Sequence, residues 1–220
     1  MHKLIFFLLI LLGFFACKQK KSESLTTSET EPIAEEVIES TESEPKEDDP
    51  FLYTTETGKK FKVKIDTGLE FSLQNIHIQT IGFEQINEKF SITEVDPIED
   101  IFLADLNKDG FEELYVTTRS VGSGGYSTLY GFASNSDKSV SQINIPDLIG
   151  IDPDSEGLYE GFSGHNTYSI EDGKMVISFP VYMPGDSNAQ PTGGERKIIY
   201  VLEKAEASWT LNPLSQDNIS

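Results

Sequence analysis

The 220-residue chain has one cysteine, one tryptophan, two arginines and three histidines. Each shortage excludes something. A single thiol leaves no disulfide, so whatever folds here relies on its apolar core. Arg119 and Arg196 are too few to read phosphates and bases, and a formal charge of −20 repels a polyanion, which excludes nucleic acid as a partner. Electrostatic attachment to anionic lipid headgroups is disfavoured for the same reason. His2 lies in an N-terminal leader, which leaves two isolated histidines, His77 and His165. With no second thiol and no Gly-x-Ser-x-Gly elbow, no nucleophilic triad or zinc site is visible, and the expectation is a protein that is not an enzyme. Carboxylates are plentiful enough for a glycosidase-like pair, but nothing singles one out. From Phe51 onward, glycine and proline also interrupt every candidate helix longer than about eight residues.

Three unlike segments are present. Residues 1–16 begin with the polar His2 and Lys3 and continue in a twelve-residue apolar run, Leu4 to Phe15. That run is too short to span about 30 Å of hydrocarbon as a helix and predicts a secretory signal. Cys17 follows at once, behind the small Ala16, and this junction resembles the bacterial lipoprotein box, with Phe14 where the pattern prefers Leu. The resemblance implies acylation of Cys17 and an exported lipoprotein, anchored to a membrane and facing the periplasm or cell surface of a bacterium. Residues 17–50 form the second segment: from Lys18 to Pro50 there are 11 acidic and 4 basic residues and no aromatic. Such a stretch cannot bury enough apolar surface to offset its ordering entropy, so it is expected to be a disordered acidic tether.

Residues 51–220 carry 26 acidic and 12 basic residues, a net charge of −14, with nearly all the aromatics and glycines. The periodicity there is two. Lys60 to Lys64 alternates lysine with apolar residues, Ile76 to Ile81 is read with three isoleucines near one face, and Arg196 to Leu202 is a β-prone run. Asp172-Gly173 between two further β-prone runs is a hairpin signal. The expectation is one all-β domain, a sandwich or barrel of about eight mostly antiparallel strands.

One loop has metal-type spacing: Asp105, Asn107 and Asp109 at positions 1, 3 and 5, Gly110 at 6, the Phe111 carbonyl at 7 and Glu113 at 9. Oxygen donors in that pattern fold around Ca²⁺. Position 12 is Val116 instead of the EF-hand glutamate, and Glu113 at 9 makes the loop resemble the calcium loops between strands of integrin-type propellers. The same residues also suit a polar turn that bonds its own backbone, so no cofactor is required by the sequence and calcium is one of two readings.

After the strand Glu113 to Arg119 comes a glycine-rich loop, Ser120 to Tyr126, and then another strand. No helix follows and no P-loop Lys-Ser/Thr is present, so the loop is a poor phosphate cradle. It offers the hydroxyl of Ser123 and the amphipathic ring of Tyr126 on a slim backbone. These residues, with Asp105-Leu106-Asn107-x-Asp109-Gly110, Tyr159-x-Gly161, Gly164-His165, Phe179-Pro180-Val181-Tyr182, the string from Gly185 through Pro191-Thr192-Gly193-Gly194-x-Arg196, and Trp209, resemble the periplasmic inhibitors of invertebrate-type lysozymes. The resemblance covers Ile101 to about Leu211; the strands before it match only in pattern, and the tether lies outside it.

The resemblance implies a compact β-sandwich, often a homodimer, whose Ser-Gly-x-Tyr loop plugs a lysozyme's active site. Carried over, the lysozyme-binding loop is Ser123, Gly124, Gly125 and Tyr126. Without it, Tyr126 reads as a core aromatic at a strand start and Ser123 as a turn hydroxyl. A second loop, Thr192, Gly193, Gly194 and Arg196, either lines the same edge or is braced by Arg196, while Asp186 and Asn188 read as turn formers. A domain at −14 would be steered towards a basic enzyme. A calcium-dependent β-sandwich that binds glycan or a surface partner is the alternative.

Overall fold

The computed structural model describes residues 50–214 apart from Leu69, Pro153 and Ser155. The signal, Cys17 and the acidic tether up to residue 49 lie outside the described residues. Within these, the chain is all-β. Twelve strands form, not eight: β1 (Phe51–Thr54), β2 (Lys60–Asp66), β3 (Gln74–Ile81), β4 (Lys89–Val95), β5 (Ile98–Ala104), β6 (Glu113–Arg119), β7 (Ser127–Ser134), β8 (Val140–Asn144), β9 (Thr167–Glu171), β10 (Lys174–Pro180), β11 (Glu195–Lys204) and β12 (Trp209–Pro213). Some of these strands alternate only weakly in sequence. β5, for example, runs Ile-Phe-Leu-Ala through four consecutive half-buried positions.

The strands make two sheets. One has the order β1-β2-β3-β4, and the other β5-β6-β7-β8-β12-β11-β10-β9. Every pairing is antiparallel except β8 with β12. The β9–β10 turn fulfils its hairpin signal, because Asp172 and Gly173 both take positive φ, 51° and 72°. Two successive positive φ values define the type I′ turn that matches strand twist, and they explain why Asp-Gly sits there.

Two apolar clusters hold the sheets. Phe61, Val63, Ile76 and Ile78 project from the four-stranded sheet onto Leu114 and Val116 of β6, Phe132 of β7 and Val140. The second cluster lies on the other side of β6 and β7, where Tyr115, Leu129 and Ala133 meet Met175, Ile177 and Phe179 of β10 and Ile198, Tyr200 and Leu202 of β11. Strand pleating sends alternate residues to opposite faces, so β6 feeds both clusters and has six of its seven residues buried. Full burial of each large apolar side chain contributes roughly 1.5–3 kcal/mol.

The same pleat corrects the reading of Ile76 to Ile81. Ile76, Ile78 and Thr80 share the core face, whereas Ile81 has the opposite parity and is exposed. At the far end of the chain, the Trp209 indole N–H donates to Asn135 Oδ1 at 3.0 Å and fastens β12 beside β8.

Candidate functional site

The Ser120–Tyr126 loop joins β6 to β7, and hydrogen bonds from four directions hold it. Ser120 N–H donates to the Tyr126 carbonyl at 2.8 Å, and Ser120 Oγ accepts the Tyr126 N–H at 2.9 Å. Gly125 N–H donates to the Gly122 carbonyl. The Arg119 guanidinium donates to the Gly125 carbonyl at 2.7 Å and to the Asn166 carbonyl at 3.1 Å, while Glu99 accepts from its other edge. His165 N–H donates to the Gly124 carbonyl at 2.8 Å.

Asn166 extends this clamp. It is fully buried, and its side-chain amide bonds both the N–H and the carbonyl of Ser127. In effect it supplies one missing rung between the start of β9 and the start of β7. A buried amide that satisfies two backbone groups is worth far more than its surface equivalent, because neither group has water to fall back on.

Close contact requires glycine at two positions, Gly124 in the loop and Gly164 beside it. A Cβ on Gly124 would lie 2.5 Å from the Tyr126 ring, and one on Gly164 would drive into the Gly124 carbonyl. The Tyr126 ring therefore folds back over Gly124 and Gly164 and stacks edge-to-face on the buried Phe162, with centroids 5.9 Å apart. It is half-buried, so the reading of Tyr126 as a core aromatic describes one side of the ring. Its other side borders an open cavity of about 620 Å³ shared with Tyr130, Tyr168 and Asp96. Ser123 is exposed at the loop tip.

The second loop reaches the first through a residue that reads in sequence as a turn former. Asn188 Nδ2 donates to the Ser123 carbonyl, and the Tyr182 hydroxyl donates to the Asn188 carbonyl at 3.0 Å. Partial burial, then Tyr126 and Asp186, raises the Tyr182 phenol above its ordinary pKa. Asp186 is the hub of this loop, accepting the N–H groups of Met183 and Thr192 and the Thr192 hydroxyl. Those bonds, Met183 first, hold its carboxyl below the usual carboxylate range. Gly193 and Gly194 exchange backbone bonds with Val181. Arg196 braces a third segment, donating to the carbonyls of Gly157 and Leu158. Val121 and Met183, one on each tied loop, are 70% and 50% exposed.

The acidic loop lies at the other end of β6. Six residue steps along β6 at about 3.3 Å each put Glu113 roughly 20 Å from Arg119, so Asp105, Asn107, Asp109, Phe111 and Glu113 form no part of the Ser123 surface. Burial, opposed by the Leu106 N–H and reinforced by Asp105 and Asp109, pushes the Glu113 carboxyl up to about 8.

One row of side chains was not legible in sequence. His77 Nδ1 lies 2.9 Å from Ser91 Oγ, and its Nε2 lies 3.1 Å from Asp66, which also pairs with Lys64. The strand register accounts for the row, since Lys64, His77 and Ser91 are directly opposite one another on β2, β3 and β4. These are triad residue types on the open outer face of the sheet, where His77 and Asp66 are each about 40% exposed. No family model, curated protein or solved structure matches this chain.

Proposed function

We propose that the chain is a non-catalytic inhibitor of lysozyme, invertebrate-type by resemblance, which presents the Ser123-Gly124-Gly125-Tyr126 loop to the enzyme's active-site cleft. Lipid on Cys17 would keep it at a membrane, where blocking the enzyme protects peptidoglycan. One observation carries the reading: the loop is fixed before any partner arrives. Arg119, Ser120, His165 and Asn188 hold the backbone at Gly125, Tyr126, Gly124 and Ser123 respectively. A loop ordered in advance loses little entropy on binding, and a slim loop fits a cleft shaped for an extended sugar chain.

The chemistry is consistent. A lysozyme cleft holds one protonated carboxylic acid and one carboxylate, among groups that bond sugar hydroxyls. The neutral hydroxyls of Ser123 and Tyr126 can bond both carboxyl groups without adding a second buried charge, and the loop offers no glycosidic bond to cut. Val121 and Met183 supply apolar contact on the two tied loops.

The experiment measures inhibition of invertebrate-, chicken- and goose-type lysozymes by the full chain, beside Ser123→Ala and Tyr126→Phe. Phenylalanine keeps the packing on Phe162 and removes only the hydroxyl. Each variant is expected to weaken inhibition by about 10- to 100-fold, the cost of one hydrogen bond to a charged group. Failure of the wild type against all three enzymes overturns the proposal. Undiminished inhibition by both variants removes this loop from it.

A further inference from the structure

The Asp105–Glu113 segment carries β5 into β6, and much of it is explained as a polar turn. Asp105 accepts the N–H groups of Asp109 and Gly110, Asn107 that of Asp109, and Asp109 that of Phe111. Glu113 is not explained in that way. Its side chain is fully buried; Oε2 accepts the Leu106 N–H at 2.9 Å, but Oε1 has no hydrogen-bond partner. One carboxylate oxygen each from Asp105, Asp109 and Glu113 lies within 4.8 Å of the others. Among the described residues no lysine, arginine or histidine forms an ion pair with any of the three. The next inward-facing residue on the same face of β6, Tyr115, also has an unpartnered buried side-chain atom, its hydroxyl.

Buried carboxylates are paired, metal-bound or neutralised, since an isolated charge in a core is too costly to keep. We propose that Asp105, Asp109 and Glu113 bind one Ca²⁺, with the Asn107 side chain and the Phe111 carbonyl as further oxygen donors, and that the ion fastens the start of β6. The donor set is all oxygen, without thiol or imidazole, which suits a hard cation. A carboxylate-rich loop of this kind suits Ca²⁺ better than Mg²⁺, which demands a stricter octahedron and keeps its waters. The orphan Oε1 is what distinguishes this cluster from a turn of exposed acids, because it points to a ligand that the protein itself does not provide. At roughly 20 Å from Arg119, the ion would stabilise the domain without touching the Ser123 loop.

The test is thermal unfolding of the full chain in EDTA and in graded CaCl₂, with calorimetric titration of Ca²⁺ and, separately, Mg²⁺. Sites of extracellular modules bind in the range of about 10⁻⁴–10⁻³ M. Calcium at a hundredfold excess over its Kd is expected to raise Tm by roughly 5–10 °C, and Mg²⁺ to do less. Glu113→Gln and the surface variant Asp109→Asn should each lower the Ca²⁺ affinity at least tenfold; if Glu113→Gln fails to fold, Asp109→Asn carries the test. Three outcomes overturn the proposal. The first is a wild-type Tm indifferent to about 10 mM Ca²⁺, ten times the weak end of that range. The second is an equal calcium response in wild type and Asp109→Asn, which would place the ion elsewhere. The third is Glu113→Gln melting at or above wild type with no calcium response in either, as expected of a buried carboxyl that holds a proton and no metal.

Discussion

Arg119→Ala is the sharpest test of how the loop is held. The guanidinium makes an ion pair with Glu99 at 2.6 Å, with the two side chains 31% and 35% exposed. A pair that wet contributes at most about 1 kcal/mol. The bonds to the Gly125 and Asn166 carbonyls are part-buried and come from a cation, so about 1.5 kcal/mol each is the low end of what they should supply. The loss then comes to roughly 3 kcal/mol, a fall in Tm of about 6–12 °C for a domain of this size. Part of the loss falls on the loop, since releasing the Gly125 carbonyl frees backbone that the other bonds restrain only partly. Reordering one or two residues on binding costs about 1–2 kcal/mol, so inhibition should weaken by about 5- to 30-fold. Arg119→Lys keeps a charge for Glu99 but has no planar fork for two carbonyls, and should fall between alanine and wild type. Calorimetry and amide exchange at Tyr126 and His165 read the brace directly. A variant that melts within about 1 °C of wild type, less than 1 kcal/mol would shift it, with unchanged protection at both amides, refutes the reasoning.

Asn166→Ala leaves the Ser127 N–H and carbonyl without their partner, at a cost of about 2–5 kcal/mol, to be read as a lower denaturation midpoint at constant m-value. Asp186, whose pKa is depressed below its ordinary 3.8, ties its loop fully above that value and lets go as the pH falls through the lower folded value. Thr192 amide exchange should therefore stay protected as the pH is lowered to 3.8; loss of protection with a midpoint above 3.8 contradicts this. Arg119→Ala and Asp109→Asn stand about 20 Å apart with no shared partner, so their effects on stability should add within about 0.5 kcal/mol in a double-mutant cycle; a larger coupling means that the ends of β6 communicate.

Much of the fold is legible because pleating imposes its period on residues that must be half-buried. Lys60 to Lys64 shows it by alternation, and Asp172-Gly173 by a backbone conformation that few other pairs adopt. β6 is all but continuously apolar or buried polar, so its two faces cannot be separated by pattern; only the packing shows which face Tyr115 takes. In the candidate site, Ser123 and Tyr126 are conspicuous locally, whereas their supports are not. Arg119 reads as the last residue of a strand and Asn188 as a turn former, and Asn166 carries no signal of its own, because their partners lie 6, 65 and 39 residues away. Spacing makes Glu113 a candidate donor, but no local signal says that it is fully buried with one oxygen unmatched.

The position of both polar assemblies follows from the burial of β6. Leu114 and Val116 fill one core and Tyr115 the other, so the middle of the strand has no solvent-facing side on which to display chemistry. Polar function is confined to its ends, where the chain leaves the cores and backbone groups need new partners. A strand gripped on both faces is also the element least able to shift, and groups that must be held to a fraction of an ångström belong on such an element. Arg119 at one end and Glu113 at the other are in that sense the same solution: a charged residue, anchored by a doubly buried strand, organises the loop beside it. The difference lies in what answers the charge. Arg119 finds Glu99 and two carbonyls within the protein. Glu113 has one N–H and an unmatched oxygen, and the balance has to come from a proton or a cation.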